Sequence, residues 1–460
     1  MNFEPFRNKM EAAGVKPAAI RAFENNYRLL TENHTGLIGE AELSPLASLP
    51  SLEGIARSTP ADASLLNQCA VLKLNGGLGT SMGLEKAKSL LEVKQGQSFL
   101  DLIALQMDQL EKSVGTKIPL IMMNSFATSE DTRQWIKQHP KLGNPDDVEL
   151  MQSMAPKVDA KTLAPASYPA NPALEWCPSG HGDLYSALAG ERIEALLRQG
   201  ILYLFVSNSD NLGASLDPVL LTWFAGTGAA FAMEVTARTP SDRKGGHLAQ
   251  RQDRLILRES AQCAPEDSEA FQDIERHRYF NTNNLWLRLD QLKEALDAHG
   301  GCLTLPLIRN QKTLDPRDPS SPPVYQLETA MGAAIECFPN SLAIEVPRSR
   351  FAPVKTTADL LALRSDAYVI QSDGRPELAP ERGGLPPLIK LDSNYQRVDQ
   401  LEAALAHGVP SLKNCSSLTL QGPMAFASGV EVIGQVTFTA PVGPARQIPA
   451  GRYENHVYEL

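Results

Sequence analysis

Residues 71–93 read VLKLNGGLGTSMGLEKAKSLLEV. The stretch opens apolar, becomes a glycine-rich loop, passes Lys86 and Lys88, and turns apolar again. CAVLKL, from Cys69, reads as a short buried strand that runs straight into the glycines. Glycine amides at a strand exit can wrap an anion, because glycine allows close approach and positive φ. A Walker A loop needs a Lys-Ser/Thr pair directly after its last glycine, and none follows Gly79 or Gly83. The spacing is G-G-x-G, so it is no dinucleotide fingerprint either. What remains is an anion loop of neither type, with Lys88 at the head of the next strand and able to return over a phosphate. A plain strand-exit turn with a solvated lysine competes with that reading.

Working outward, KSLLEV (88–93) reads as a second strand and SFLDLIALQMDQLEK (98–112) as an amphipathic helix, with Ser98 and Asp101 as a capping box. KIPLIMMNS (117–125) reads as a third strand. Strand, helix, strand predicts a βαβ unit in a largely parallel sheet, hence an α/β fold. GILYLFVSNSDNLGA (200–214) and GAAFAMEVTAR (228–238) continue the pattern. Upstream, Ile20, Phe23, Tyr27 and Leu30 repeat at helical spacing, and residues 1 to about 66 read as largely helical. Three stretches rich in proline read as surface connections: 155–176, 314–324 and 374–387. A domain boundary is placed in the last. Beyond it, apolar alternation at Leu418, Leu420, Val430, Val432, Val436 and Phe438 suggests a small β-solenoid or sandwich.

Composition narrows the function. A chain of 460 residues, 43% hydrophobic, is large enough for an ordinary core. Its net charge of −10 argues against non-specific nucleic-acid binding and against an anionic membrane surface. The six cysteines are widely spaced with no C-x-x-C pair, which argues against a zinc site or a disulfide framework. No apolar run reaches membrane-span length, and the N-terminal residues lack the apolar core of a signal peptide. The expectation is a cytoplasmic protein.

Four later stretches converge on phosphate chemistry. GHGD (180–183) leaves room for a ligand beside His181, although it also reads as a helix start with Asp183 as a first-turn acid. SNSDNLGA (207–214) lies at the C-terminal end of an apolar strand, where open α/β sheets bind ligands. Asp210 there can hold Mg²⁺ through one oxygen; an Asx turn is the bland alternative. FNTNNLW (280–286) offers amide donors and acceptors suited to sugar hydroxyls, or simply a turn at a strand start. VPRSRFAPVKTTADLL (346–361) places Arg348, Arg350 and Lys355 before a helix capped by Thr357. Cations are out of place there unless an anion binds. No Ser/His/Asp set and no paired carboxylates appear. Cations, one placed aspartate and glycine loops suit phosphoryl-type transfer, which relies on positioning and charge.

KLNGGLGTSMG with AKS after it, GHGD, SNSDNLGA, KGGHL, FNTNNLW, QLETAMGAAI and VPRSRFAPVKTTADLL, in this order over about residues 70–365, closely resemble the UTP–glucose-1-phosphate uridylyltransferase family. The resemblance implies a Rossmann-like nucleotidyltransferase mixed sheet with flanking helices. It also implies a helical N-terminal segment (1–66), a catalytic domain (67–384) and a C-terminal left-handed β-helix (385–460), through which a homo-oligomer could form. The implied substrates are UTP and glucose 1-phosphate, with Mg²⁺ on Asp210. Leu74, Asn75, Gly76, Gly77, Lys88, Gln152, Gly180, Asp210 and Lys355 are implied to hold the nucleotide. Gly76, Gly77, His181, Asn208, Ser209, Asp210 and Asn283 are implied to hold the sugar-phosphate side. Lys88 and Lys355 match the phosphate-binding lysines, Lys355 as the catalytic one. The chain departs from the pattern at Glu85, where many members have lysine, and around Gln152, where MQSMAP replaces NQSRYP. The alternatives are a related pyrophosphorylase with another sugar, such as a broad UDP-sugar or UDP-N-acetylhexosamine enzyme, and a catalytically silent sugar-nucleotide-binding scaffold.

Overall fold

The computed structural model describes residues 2–460. The strand leading into the glycine loop, β1 (Cys69–Asn75), is buried at all but one position. A strand covered on both faces needs a near-continuous apolar run, and CAVLKL supplies one broken only by Lys73, whose buried ammonium donates to Ser207 Oγ at 2.8 Å and to the carbonyl of Ala214 at 2.7 Å. Its neighbours are β2 (Leu120–Asn124) on one side and β4 (Tyr203–Asn208) on the other, both parallel to it. Between them in sequence, β3 (Glu149–Met151) runs parallel to β2 at the sheet edge. The expected βαβ unit is present: the helix Phe99–Val114 links β1 to β2, and Ser98 with Asp101 forms its capping box.

The remaining strands are β5 (Phe231–Ala237), β6 (His247–Arg251), β7 (Arg254–Arg258), β8 (Tyr279–Arg288) and β9 (Leu342–Glu345). Among the described residues the sheet has nine strands in the order β7-β6-β8-β4-β1-β2-β3, with β5 pairing β8 and β9. The largely parallel sheet expected from the βαβ pattern holds only around the loop. β8 runs antiparallel to β4, β5 and β6, so the sheet is mixed. Side chains alternate across it. Ala70, Leu72, Ile121 and Val206 pack on one face; Val71, Met122 and Phe205 pack on the other. The second face's buried cluster runs on through Leu360, Tyr395 and Leu401 to Phe426 and Phe438.

Several expectations need correction. KSLLEV is not a sheet strand: Lys88–Leu90 is a 3-10 turn, and only Glu92–Lys94 is extended, pairing with Gln97–Ser98. An apolar run this short cannot distinguish turn from strand. The first 66 residues are helical at Glu4–Ala12 and Pro17–Thr31 and in the short helix Leu52–Ala56, with 3-10 turns at Glu40–Glu42 and from Ala63, and the rest is extended or irregular. Pro45, Pro50 and Pro60 follow, and the chain instead crosses the sheet edges, bridging Ser44 to Gln250 and Ser51 to Glu345. The 155–176 connection is not wholly on the surface. Ala155 and Val158 are buried with Phe6, Phe23 and Tyr27 of the N-terminal helices, and Lys157 donates to the carbonyl of Leu314 at 2.9 Å. After GHGD, which reads as the start of a helix, the chain forms two helices, Leu184–Leu188 and Glu191–Arg198, broken before Gly190.

In the C-terminal part, Leu388–Leu391, Cys415–Gln421, Val430–Thr439 and Val457–Glu459 pair in parallel, as do Met424–Phe426 and Arg446–Ile448. The alternating apolar positions named from the sequence are all buried. No helix among the described residues is long and apolar enough to cross a membrane.

Candidate active site

The parallel strands end together, and their polar ends line up. Asn75 is level with Asn124, Asn124 with Met151, and Leu74 with Asn208. The glycine loop leaves this edge and folds back on itself. Gly79 sits at φ +72°, the left-handed region, and the N–H of Lys88 donates to the carbonyl of Gly77 at 3.2 Å. Lys88 is therefore in a turn and not at the head of a strand, but its ammonium does return across the loop. It reaches Asp210 Oδ2 at 2.6 Å. Their side chains are only 14% and 18% exposed, so the pair is partly shielded from water.

Three of the expected nucleotide residues meet on the other flank. Gln152 Nε2 donates to the carbonyl of Gly180 at 2.7 Å. A Cβ at position 76 would lie 2.8 Å from Gln152 Oε1, so a side chain there would push the Gln152 amide aside. Ser125 Oγ, one residue past the end of β2, donates to the carbonyl of Gly76 at 2.8 Å. A Cβ at Gly77, by contrast, would meet nothing within 4 Å among the described residues. Asn75 and Leu74 serve from beneath. The Asn75 amide donates to Asn124 Oδ1 at 2.7 Å and Thr132 Oγ1 at 2.9 Å. The Leu74 carbonyl accepts from the N–H of Ser209 at 3.0 Å, which fixes the Asn208–Asp210 turn against β1.

His181 is held by its own loop and by residues 329–331. The N–H of Gly182 donates to the carbonyl of Thr329 at 2.9 Å, and the N–H of Met331 donates to His181 Nδ1 at 3.0 Å. An accepting Nδ1 carries no proton, so the neutral ring holds its hydrogen on Nε2. Burial, and then the nearby Lys355 ammonium, push the pKa down to about 4. Asp183 accepts from the N–H of Ser153 at 2.6 Å, tying GHGD to the residue after Gln152; burial pushes its pKa up to about 6.

FNTNNLW is not a turn; it opens at the second residue of β8, as its reading as a strand start implies. It lies inside β8, where the register against β5 slips between Glu234 and Val235. Such a bulge re-aims a side chain. Asn283 takes φ +59°, which asparagine tolerates, and its Oδ1 accepts from Asn281 Nδ2 at 2.9 Å. Asn281 also reaches Glu259 Oε1 at 3.5 Å. Glu259 was not singled out from the sequence. Its pKa is raised by burial and drawn down by Asn281 and Lys355, so it shares an electrostatic environment with Lys355. An isolated glutamate at the end of a strand gives no sequence signal.

Lys355 is exposed and directly precedes Thr356, which caps the helix in place of the expected Thr357. Thr357 is the first helical residue and donates to the carbonyl of Tyr395 at 2.6 Å. The Lys355 N–H donates to Asp359 at 2.9 Å. The preceding residue ties this segment to the Asp210 turn: the N–H of Val354 donates to the carbonyl of Asp210 at 3.2 Å. Arg348 pairs with Asp242 and Arg350 with Glu234, so both arginines are ion-pair partners within the protein. Glu85 and Lys86 are exposed.

No group of three or more His, Cys, Asp or Glu side chains among the described residues could cage a metal. Asp210 offers one carboxylate beside the Lys88 ammonium. That donor set fits Mg²⁺, which commonly takes one or two carboxylates and completes its octahedron with water and substrate phosphates.

The family model for UTP–glucose-1-phosphate uridylyltransferase matches residues 20–432. A Saccharomyces cerevisiae protein named UTP–glucose-1-phosphate uridylyltransferase is 40% identical over 86% of this chain and 79% of its own length. A Leishmania major UDP-glucose pyrophosphorylase mutant, solved in complex with UDP-glucose, is 45% identical with a TM-score of 0.95 over 99% of both chains. A Trypanosoma brucei UDP-glucose phosphorylase is 46% identical with a TM-score of 0.92, again over 99% of both.

Proposed function

The chain belongs to the UTP–glucose-1-phosphate uridylyltransferase family, and from that premise we propose how its residues divide the work. The reaction is nucleotidyl transfer: UTP and glucose 1-phosphate give UDP-glucose and pyrophosphate. An oxygen of glucose 1-phosphate attacks the α-phosphorus of UTP, the bond to the bridging oxygen breaks, and pyrophosphate leaves with that electron pair. Both reactants are anions, so charge must be neutralised where they meet.

Gly76, Gly77, Gln152 and Gly180 hold the uridine end, with Leu74 and Asn75 as the floor beneath. Lys88 neutralises the triphosphate, passing from Asp210 to phosphate oxygens as the nucleotide enters. His181 offers an Nε2–H donor to the sugar phosphate that needs no titration near neutral pH. Asn283, aimed by the bulge, and Asn208 with Ser209 contact the sugar nucleotide. Lys355 is the catalytic residue and stabilises charge between the sugar phosphate and the α-phosphate. A divalent metal is general to nucleotidyltransferases. Mg²⁺ held by Asp210 would supply positive charge to the phosphate oxygens. The observation that carries this reading is the Lys88–Asp210 contact at 2.6 Å, in a turn whose Asp210 carbonyl is bonded to the residue before Lys355.

The division into residues 1–66, 67–384 and 385–460 is part of the same reading. So is a left-handed β-helix at the C-terminus, supported by the parallel pairing of its strands, and a homo-oligomer built through it. Free cysteines support a cytoplasmic setting. Pyrophosphate release from UTP with a panel of sugar 1-phosphates tests the substrate side; a preference for another sugar would refute the glucose assignment. For the metal, Asp210→Asn should raise the Mg²⁺ concentration giving half-maximal rate, and an unchanged titration would contradict Asp210 as its ligand.

A further inference from the structure

The segments that carry Asp210, Asn283 and Lys355 meet at one buried carboxylate. Glu234, on β5, is 0% exposed. Its Oε1 accepts from Arg350 Nη2 at 2.7 Å and Trp286 Nε1 at 3.0 Å. Its Oε2 accepts from Arg350 Nε at 2.9 Å and Asn284 Nδ2 at 3.0 Å. Arg350 Nη2 also donates to the carbonyl of Ser215 at 2.9 Å. Asn211 closes the knot: its Nδ2 donates to the carbonyl of Arg350 at 3.1 Å, and its Oδ1 accepts from the N–H of Ala352 at 3.0 Å. The strap from Arg350 to Val354 is thus pinned at successive points to the turn that bears Asp210, and Lys355 follows the last pin.

Burying an ion pair is a poor way to gain stability, since apolar side chains of the same volume often do as well. What such a pair can add is one defined arrangement, because a carboxylate with four donors on it accepts no other register. Neither Glu234 nor Arg350 has been placed on the substrates above.

We propose that Glu234 and Arg350 are positioning residues for uridylyl transfer, and that their buried bidentate pair sets where Lys355 stands. This rests on the reading of Lys355 as the group that stabilises the transferring charge.

The test is a double-mutant cycle in the full-length protein: wild type, Glu234→Gln, Lys355→Ala and the pair, with kcat, KM for UTP and melting temperature measured for each. Glu234→Gln should lower kcat about tenfold or more while KM for UTP stays within about twofold, the pattern of a contact felt in the transition state. In the Lys355→Ala background the same substitution should change the residual kcat by less than about twofold, because misplacing an absent ammonium costs nothing. Equal loss in both backgrounds, or a lower melting temperature with kcat intact, would overturn the proposal. Arg350→Lys keeps the charge but loses the two-pronged geometry. It should behave likewise, and it decides the matter if Glu234→Gln does not fold. Normal turnover by Lys355→Ala alone would instead refute the reading of Lys355, a separate outcome visible in the first arm.

Discussion

A backbone amide decides the chemistry of His181. Because the N–H of Met331 occupies Nδ1, protonating that nitrogen would require breaking this hydrogen bond, and Lys355 adds charge repulsion. The ring should remain the neutral Nε2–H form from pH 8 down to about 5. Nitrogen-15 chemical shifts of the labelled ring check this directly, and a titration near 6.5 would contradict it. A second single-residue outcome concerns Gly77. An added methyl there meets no protein atom nearby, so Gly77→Ala should melt like the wild type. If the loop carries the nucleotide, the methyl should raise KM for UTP about tenfold, the equivalent of ~1.4 kcal/mol. An unchanged KM counts against the loop. At this scale the sequence was most informative where a residue type is chemically rare in its setting: Asp210 at a strand exit, or lysines beside glycines. It was silent on Glu259 and Glu234, whose roles depend on what strands far away in sequence place beside them.

Among elements, the glycine loop and the strap before the helix at 357 do the most to build the site. The loop's existence was legible because glycine at a strand exit has a steric reason. Its closure was not, since the left-handed turn at Gly79 brings Lys88 back without any strand, and KSLLEV offers no period to betray that. The asparagine cluster was legible as polar and illegible as a bulge, because a bulge depends on the partner strand's register. The GHGD turn makes a sharper element-scale prediction. A Cβ at Gly182 would lie 2.2 Å from Thr329 Oγ1 and 2.8 Å from the Thr329 carbonyl. Gly182→Ala should therefore cost about 1–3 kcal/mol of stability in urea unfolding, the usual penalty of overpacking. It should also displace His181 and weaken turnover. A variant as stable as the parent would show that the 329–331 segment yields freely.

The whole molecule carries a pH dependence unrelated to catalysis. His247, fully buried on β6, stacks on His277 with ring centroids 3.9 Å apart, and the cluster reaches Glu40 of the N-terminal segment through His277. Burial, then His277 and Arg238, push the His247 pKa down to about 2. The unfolded chain binds this proton near 6.5 and the folded chain does not, so stability falls as pH drops below 6.5, progressively towards 2. The melting temperature should decline from pH 7 to pH 5, and the decline should be shallower in His247→Asn. Parallel declines would show that other groups dominate. Long-range assembly also sets the limit of what sequence alone could tell about the site. Segments near residues 76, 152, 181, 210, 283 and 355 were each ambiguous, and only their shared order suggested that they belong together. The mixed sheet then explains why, since β8 returns antiparallel and brings Asn283 to the edge where β1, β2 and β4 end.

We propose that uridylyl transfer where these strands end depends on the Lys355 ammonium to stabilise the transferring charge. Pyrophosphate release from UTP and glucose 1-phosphate, measured for the wild type and for Lys355→Ala of equal melting temperature, tests it most directly. The wild type should turn over, and the variant should be slower by about 100-fold or more, the scale of losing a preorganised transition-state charge contact. A folded Lys355→Ala protein with near-normal turnover would refute that role for Lys355.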